Sequence, residues 1–178
     1  MRKRKLEELD RLSVAEFRER DKCPLILVLD NVRSGLNVGS IFRTADAFAL
    51  ERLILCGITA QPPHREILKT AIGATSSVAW GYEADPTEAV RQLRAEGYRV
   101  YAVEQAEGSV DLADWKLEPD RKYAFVLGNE VKGVSQPVMD LVDGAIEVPQ
   151  FGTKHSLNIA VCAGVVCWEF VRQREGVV

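Results

Sequence analysis

A chain of 178 residues, 47% of them hydrophobic, is long enough to close one full core, and its net charge of −3 gives it no overall basic signature. Any nucleic-acid partner must therefore be held by local patches. The cysteines Cys23, Cys56, Cys162 and Cys167 form no CxxC pair, and His64 and His155 lie far apart, so neither a zinc site nor a disulfide framework is indicated. Reduced thiols packed as small hydrophobes in a cytoplasmic protein are the expectation.

The start, MRKRKLEELDRL, is basic but has no apolar stretch behind it, which does not fit a secretory signal. Leu6, Leu9, Leu12 and Phe17 recur at roughly helical spacing, and Ser13 with Glu16 fits a capping box. Residues 1–22 are expected to form a helical arm, and residues 23–178 one domain. Pro24 marks the break. The run Leu25-Ile26-Leu27-Val28-Leu29 reads as a central strand covered on both faces. Helical periodicity then starts near Val38, with Ile41, Phe42, Ala45, Phe48 and Ala49 on the same face and Gly39 and Arg43 opposite. A second strand follows at 53–56.

Pro62-Pro63 and 71–77 read as loop around a short helix, and 78–82 as a third strand. Asp85-Pro86 opens a helix that Gly97 closes. Residues 98–104 read as a strand, 105–121 as a polar loop anchored by Trp115, and 123–127 as a buried strand. A short helix near 136–141 precedes a final strand ending at Val148-Pro149. Between Leu157 and Val171 only Asn158, Gly164 and Glu169 fall outside the hydrophobic set, so the last helix must be covered on more than one face. It is too short to span a membrane. Strands alternating with helices define an α/β fold, a mainly parallel sheet with helices on both faces.

Three polar loops follow strands: 31–43, 128–135 and 150–158. Ligands of open parallel sheets bind beyond the carboxyl ends of the strands, so these loops predict one composite site. Gly128 and Gly133 have P-loop spacing, but Val134 and Ser135 stand where Lys and Ser/Thr are required. No G-x-G-x-x-G follows the first strand, and no nucleophile elbow surrounds Ser156.

Three blocks occur in order: Asn37-x-Gly39-x-x-x-Arg43-Thr44-Ala45, then Leu127-Gly128-Asn129-Glu130-x-x-Gly133, then Pro149 through Ser156-Leu157-Asn158-x-Ala160. With them the chain resembles the SpoU family of RNA ribose 2′-O-methyltransferases, in the trefoil-knotted SPOUT superfamily. The likeness spans about residues 24–172, and the Ile72-Gly73-Ala74 loop also resembles a family element. It implies a deep C-terminal trefoil knot, S-adenosylmethionine as cofactor, tRNA or rRNA as substrate, a homodimer, and no metal. Cofactor contacts then fall on Val103, Glu104, Leu127, Gly128, Val148, Pro149, Ser156 and Leu157. The catalytic polar set falls on Asn37, Arg43, Glu130, Ser156 and Asn158, and RNA contacts on Arg33, Arg43, Lys132 and Lys154.

Arg43 is the implied activator of the ribose hydroxyl. Because a guanidinium stays protonated, the chemistry suited to it is holding a phosphate and stabilising a developing alkoxide. Gly39 would leave room for backbone or ligand, and Glu130 would fix either Arg43 or a loop backbone. Taken singly, these residues have plainer readings. Asn37 and Ser156 also suit helix caps, Glu130 a solvated charge, Gly128 and Gly133 turn glycines, and the cations ordinary surface. Two rival functions remain at this point: an RNA-binding or assembly protein on the same fold without turnover, and a base methyltransferase. The basic start, followed by Glu7, Glu8 and Asp10, suits either phosphate contact or a solvated helix. Recognition is expected from arm, domain and second subunit together, with no separate N-terminal RNA-binding domain.

Overall fold

The computed structural model describes residues 1–176; the last two positions of the expected domain and the side chain of Leu6 lie outside it. The sheet grows from β1 (Cys23–Asp30). Along this strand Leu25, Leu27 and Leu29 enter one core cluster while Ile26 and Val28 enter the other. A strand with period-two side chains can do this only when both of its faces are covered, which is why the run is apolar without interruption.

Seven strands are ordered β3-β2-β1-β6-β4-β7-β5, and every neighbouring pair is parallel. They are β2 (Leu50–Cys56), β3 (Trp80–Glu83), β4 (Tyr98–Val103), β5 (Val110–Asp111), β6 (Lys122–Leu127) and β7 (Gly144–Glu147). On one face pack α2 (Gly35–Ala47), α3 (Arg65–Ala71), α4 (Ala74–Ser77) and α7 (Ile159–Glu175). On the other lie α5 (Pro86–Ala95) and α6 (Gln136–Met139). The expected α/β architecture is therefore present, with helices on both faces.

Register fixes where the loops emerge. Leu29 pairs with Leu127, Leu127 with Val103, and Val103 with Ile146. Four strands thus end level with one another, and the loops after them share one edge of the sheet. That is the place where an open parallel sheet binds ligands.

Several local expectations need correction. The arm is helical only in two short pieces, a 3₁₀ turn, Leu6–Leu9, and α1, Val14–Glu19. The Ser13/Glu16 capping box does form. Among the described side chains of the expected arm face only Phe17 is buried, whereas Leu12 is exposed. Arg18 ties the arm to the domain by donating from Nε and Nη2 to the carbonyl of Ser76 at 3.1 and 2.5 Å. The loop read at 105–121 contains the two-residue strand β5, too short to show a pattern in sequence. Trp115 is its anchor, ringed by Tyr101, Tyr123, Phe125 and Phe170 at 5.5–6.4 Å between centroids.

Candidate active site

Ser34 caps α2 by accepting from the backbone N–H of Asn37 at 3.3 Å, which places Asn37 inside the first turn and not at the cap. Freed from capping, the Asn37 side chain bridges two other loops. Its Nδ2 donates to Glu130 Oε1 at 3.1 Å, and its Oδ1 accepts from Asn158 Nδ2 at 3.1 Å. Asn158, not Ser156, is the N-cap of α7, accepting from the N–H groups of Ala160 and Val161 at 2.9 and 3.3 Å. One side chain thus closes the helix end and reaches across to α2.

Glu130 completes the relay. Its carboxylate accepts the backbone N–H groups of Arg33 at 2.8 Å and Ser34 at 2.9 Å, so it grips loop backbone and not Arg43. Burial pushes this carboxyl up. The N–H groups of Arg33 and Ser34, its own N–H and the Asn37 amide outweigh that and hold it below its ordinary value.

The loop 128–135 is a small bridged hairpin in which Asn129 and Gly133 exchange backbone hydrogen bonds at 2.9 and 2.8 Å. A Cβ on Gly128 would fall 2.1 Å from the backbone of Gly133 and Val134, so only glycine admits this closure. Two further carboxylates hold the same loop. Glu104 accepts from the N–H of Val134 at 2.8 Å. Asp30, buried at the end of β1, accepts from the N–H and hydroxyl of Ser135 at 2.9 and 2.7 Å. Sequence reasoning missed Asp30 and Asn129, whose Nδ2 reaches the carbonyl of Asn31 at 2.8 Å. The available signal was an acid ending an otherwise apolar strand, which demands buried partners.

Beside this network lies a cleft of about 520 Å³. Val103, Glu104, Leu127, Gly128, Val148, Ser156 and Leu157 line it, together with Lys132, Glu147, His155, Ile159 and Cys162. Pro149, alone among the expected cofactor contacts, is not in its wall. The donor set fits S-adenosylmethionine: aliphatic walls for an adenine ring, loop backbone for its ring nitrogens, and carboxylates on Glu104 and Glu147 for a sulfonium and an ammonium. Burial raises the Cys162 thiol to about 11, so it is a neutral wall and not a nucleophile near pH 7.

Arg43 is elsewhere. It is exposed and lines a second cleft of about 590 Å³ with Ser40, Phe48, Lys69, Thr70, Ile72 and Gly164. Gly39 makes room for backbone, the first of its two expected roles. A Cβ there would meet Thr70 Oγ1 at 2.2 Å and the carbonyl of Ile67 at 2.3 Å, so its role is the close packing of α2 on α3. Cys162 faces the first cleft and Gly164 the second, so α7 stands between them. The exposed apolar stripe Val161, Val165 and Trp168 runs down α7 from one cleft to the other. The expected RNA contacts Arg33 and Lys154 are exposed but belong to neither wall. No group of side chains suited to a metal ion occurs among the described residues.

Residues 24–168 match the SpoU rRNA methylase family, and the chain belongs to that family. The tRNA (guanosine(18)-2′-O)-methyltransferase of Thermus thermophilus is 32% identical over 167 residues, covering 94% of this chain and 84% of that one. The 23S rRNA (guanosine-2′-O-)-methyltransferase RlmB of Neisseria meningitidis is 32% identical over 151 residues, covering 85% of this chain but only 59% of its own length. Among solved structures, an AdoMet-bound rRNA methyltransferase from Sinorhizobium meliloti superposes with a TM-score of 0.79 at 28% identity, covering 91% of this chain and 60% of that one. The family resemblance carried by the three sequence blocks is thereby borne out.

Proposed function

We propose that the chain is an S-adenosylmethionine-dependent RNA ribose 2′-O-methyltransferase acting on tRNA or rRNA, cytoplasmic and working as a homodimer. The observation that carries this reading is the Glu130–Asn37–Asn158 relay, which joins all three blocks at the rim of the cofactor-sized cleft. An RNA-binding relative without turnover would have no use for a cofactor-sized cleft beside that relay. The reading includes a C-terminal knot formed by the segments after β6 and β7, and an independent domain from residue 23 onward.

When bound in the cleft, S-adenosylmethionine supplies an electrophilic methyl group on a sulfonium that leaves as a neutral thioether. The chain contributes position and charge. Glu130, Asn37 and Asn158 lock the loops so that the wall facing the methyl group is preorganised. Arg43 binds the phosphate beside the target ribose, that phosphate takes up the hydroxyl proton, and the guanidinium stabilises the alkoxide as it develops.

Within one copy Arg43 and the cofactor cleft do not share a cavity. Val161, Val165 and Trp168 supply the link, because an apolar stripe bordering both clefts is suited to cover by a second copy. Pairing through it sets Arg43 of one copy beside the cofactor cleft of the other. Titration calorimetry with S-adenosylmethionine tests the cofactor, since no binding at millimolar concentration would remove the enzyme reading. Sedimentation tests the pairing, and a stable monomer at micromolar concentration would defeat it.

A further inference from the structure

On the third polar loop, Phe151 stands 98% exposed, with its sequence neighbour Gln150 and, a few positions on, His155 in the wall of the cofactor cleft. Across the cleft, Val131 is 73% exposed beside the wall residue Lys132. A phenylalanine ring left wholly in water at the rim of a site is not explained by the core, because it contributes nothing to burial. Cations stand on both sides of it. The loop 149–158 carries Lys154 and no acid, and Lys132 adds a second cation opposite. The acids Glu104, Glu130 and Glu147 line the cleft itself, where Glu130 grips the backbone of Arg33 and Ser34 and Glu104 and Glu147 suit the cationic groups of the cofactor. A bare aromatic face thus stands between two lysines at the mouth of the cleft, in a chain whose net charge is −3.

We infer that Phe151 is a stacking platform for an unpaired nucleobase of the RNA, at or next to the nucleotide whose ribose is methylated. This rests on the RNA methyltransferase reading and adds a recognition residue to it. Flat apolar ring faces on a polyanionic strand are the chemistry that such a mouth accepts. RNA loops offer splayed bases of this kind, whereas an A-form duplex keeps its ring faces stacked inside. Lys132 and Lys154 hold the flanking phosphates, and Phe151 holds the base. The ribose is thereby turned with its hydroxyl toward the cleft. A second copy of this chain is the competing occupant of the ring, and the test separates the two.

The test uses the full-length protein with bulk RNA from cells lacking it, measuring methyl transfer, cofactor affinity and sedimentation. Phe151→Ala is expected to raise the KM for RNA roughly tenfold, in keeping with loss of one stacked base. Turnover at saturating RNA, S-adenosylmethionine affinity and oligomeric state should all stay at wild-type values. Phe151→Trp should restore the KM, and Phe151→Leu should not, because leucine is apolar but cannot stack. Ultraviolet cross-linking should place RNA on the peptide carrying Phe151. An unchanged KM in Phe151→Ala, full rescue by leucine, or a dissociated dimer would each overturn the inference. If the wild-type protein transfers no methyl group to RNA, the underlying reading fails first and takes this inference with it.

Discussion

Asn158 donates its side-chain amide to Asn37 Oδ1 at 3.1 Å while its own Oδ1 caps α7 through Ala160 and Val161. Stability and function are therefore separable at this residue. Asn158→Asp keeps the cap but loses the donor, so it should unfold within a degree or two of wild type and lose most methyl transfer. Asn158→Ala loses both, at a further cost of about 0.5–2 kcal/mol for an uncapped helix. Thermal unfolding measured beside turnover checks this. Equal instability in both variants would show that the bridge to Asn37, which both lose, carries the stability, and full methyl transfer by Asn158→Asp would show that catalysis does not need it.

The Glu130 carboxylate gives the site an acid limit. Burial alone would raise its pKa, but the hydrogen bonds from Arg33, Ser34, its own N–H and Asn37 bring it below the usual 4.5. A group depressed on folding stabilises the fold fully above its unfolded pKa, and that contribution is lost as pH falls through the folded value. Cofactor affinity should therefore hold from neutrality down to about pH 5 and weaken below the carboxylate range. Glu130→Gln should flatten this acid limb, and calorimetry across pH checks it. An unchanged limb in the variant would assign it to another group.

Two glycines predict different failures. Gly39→Ala pushes a methyl into Thr70 and the Ile67 carbonyl, both 2.3 Å or closer, so α2 and α3 must part. A loss of about 1–3 kcal/mol is expected, read from denaturant unfolding. Gly128→Ala instead opens the 128–135 hairpin beside the cleft. Its main effect should be lost cofactor binding, with a smaller change in stability.

Much of this was legible in the sequence, for identifiable reasons. β1 and β6 declare themselves because the runs 25–29 and 123–127 are buried on both faces and hydrophobic throughout. The relay residues were marked by their blocks, but their partners were not. That Asn37 reaches Asn158 across 121 positions depends on the strand register that levels Leu29, Leu127 and Val103. β5 stayed hidden because two residues carry no periodicity. Gly39 was legible as making room for backbone or ligand, but only the distance to the Ile67 carbonyl decides for backbone. Asp30 drew no reading from the sequence, and its role shows only in its burial against Ser135.

The separation of Arg43 from the cofactor cleft predicts activity shared across two copies. Arg43→Ala alone and Gly128→Ala alone should each be inactive. Mixed dimers of the two should regain part of the wild-type rate, because one of the two composite sites then carries both intact parts. Arg43→Lys should remain well below wild type, since a point charge lacks the planar fork for a phosphate. Mixed dimers without activity would place Arg43 and the cleft in the same copy.

The most direct measurement concerns where the methyl group goes. Purified protein is incubated with methyl-labelled S-adenosylmethionine and RNA from cells lacking this chain, and the RNA is hydrolysed in alkali. Ribose 2′-O-methylation blocks cleavage at the modified position, so the label is predicted in alkali-resistant dinucleotides and to stay with the sugar. Label recovered on a base, or none transferred by a protein that binds the cofactor, would contradict the account.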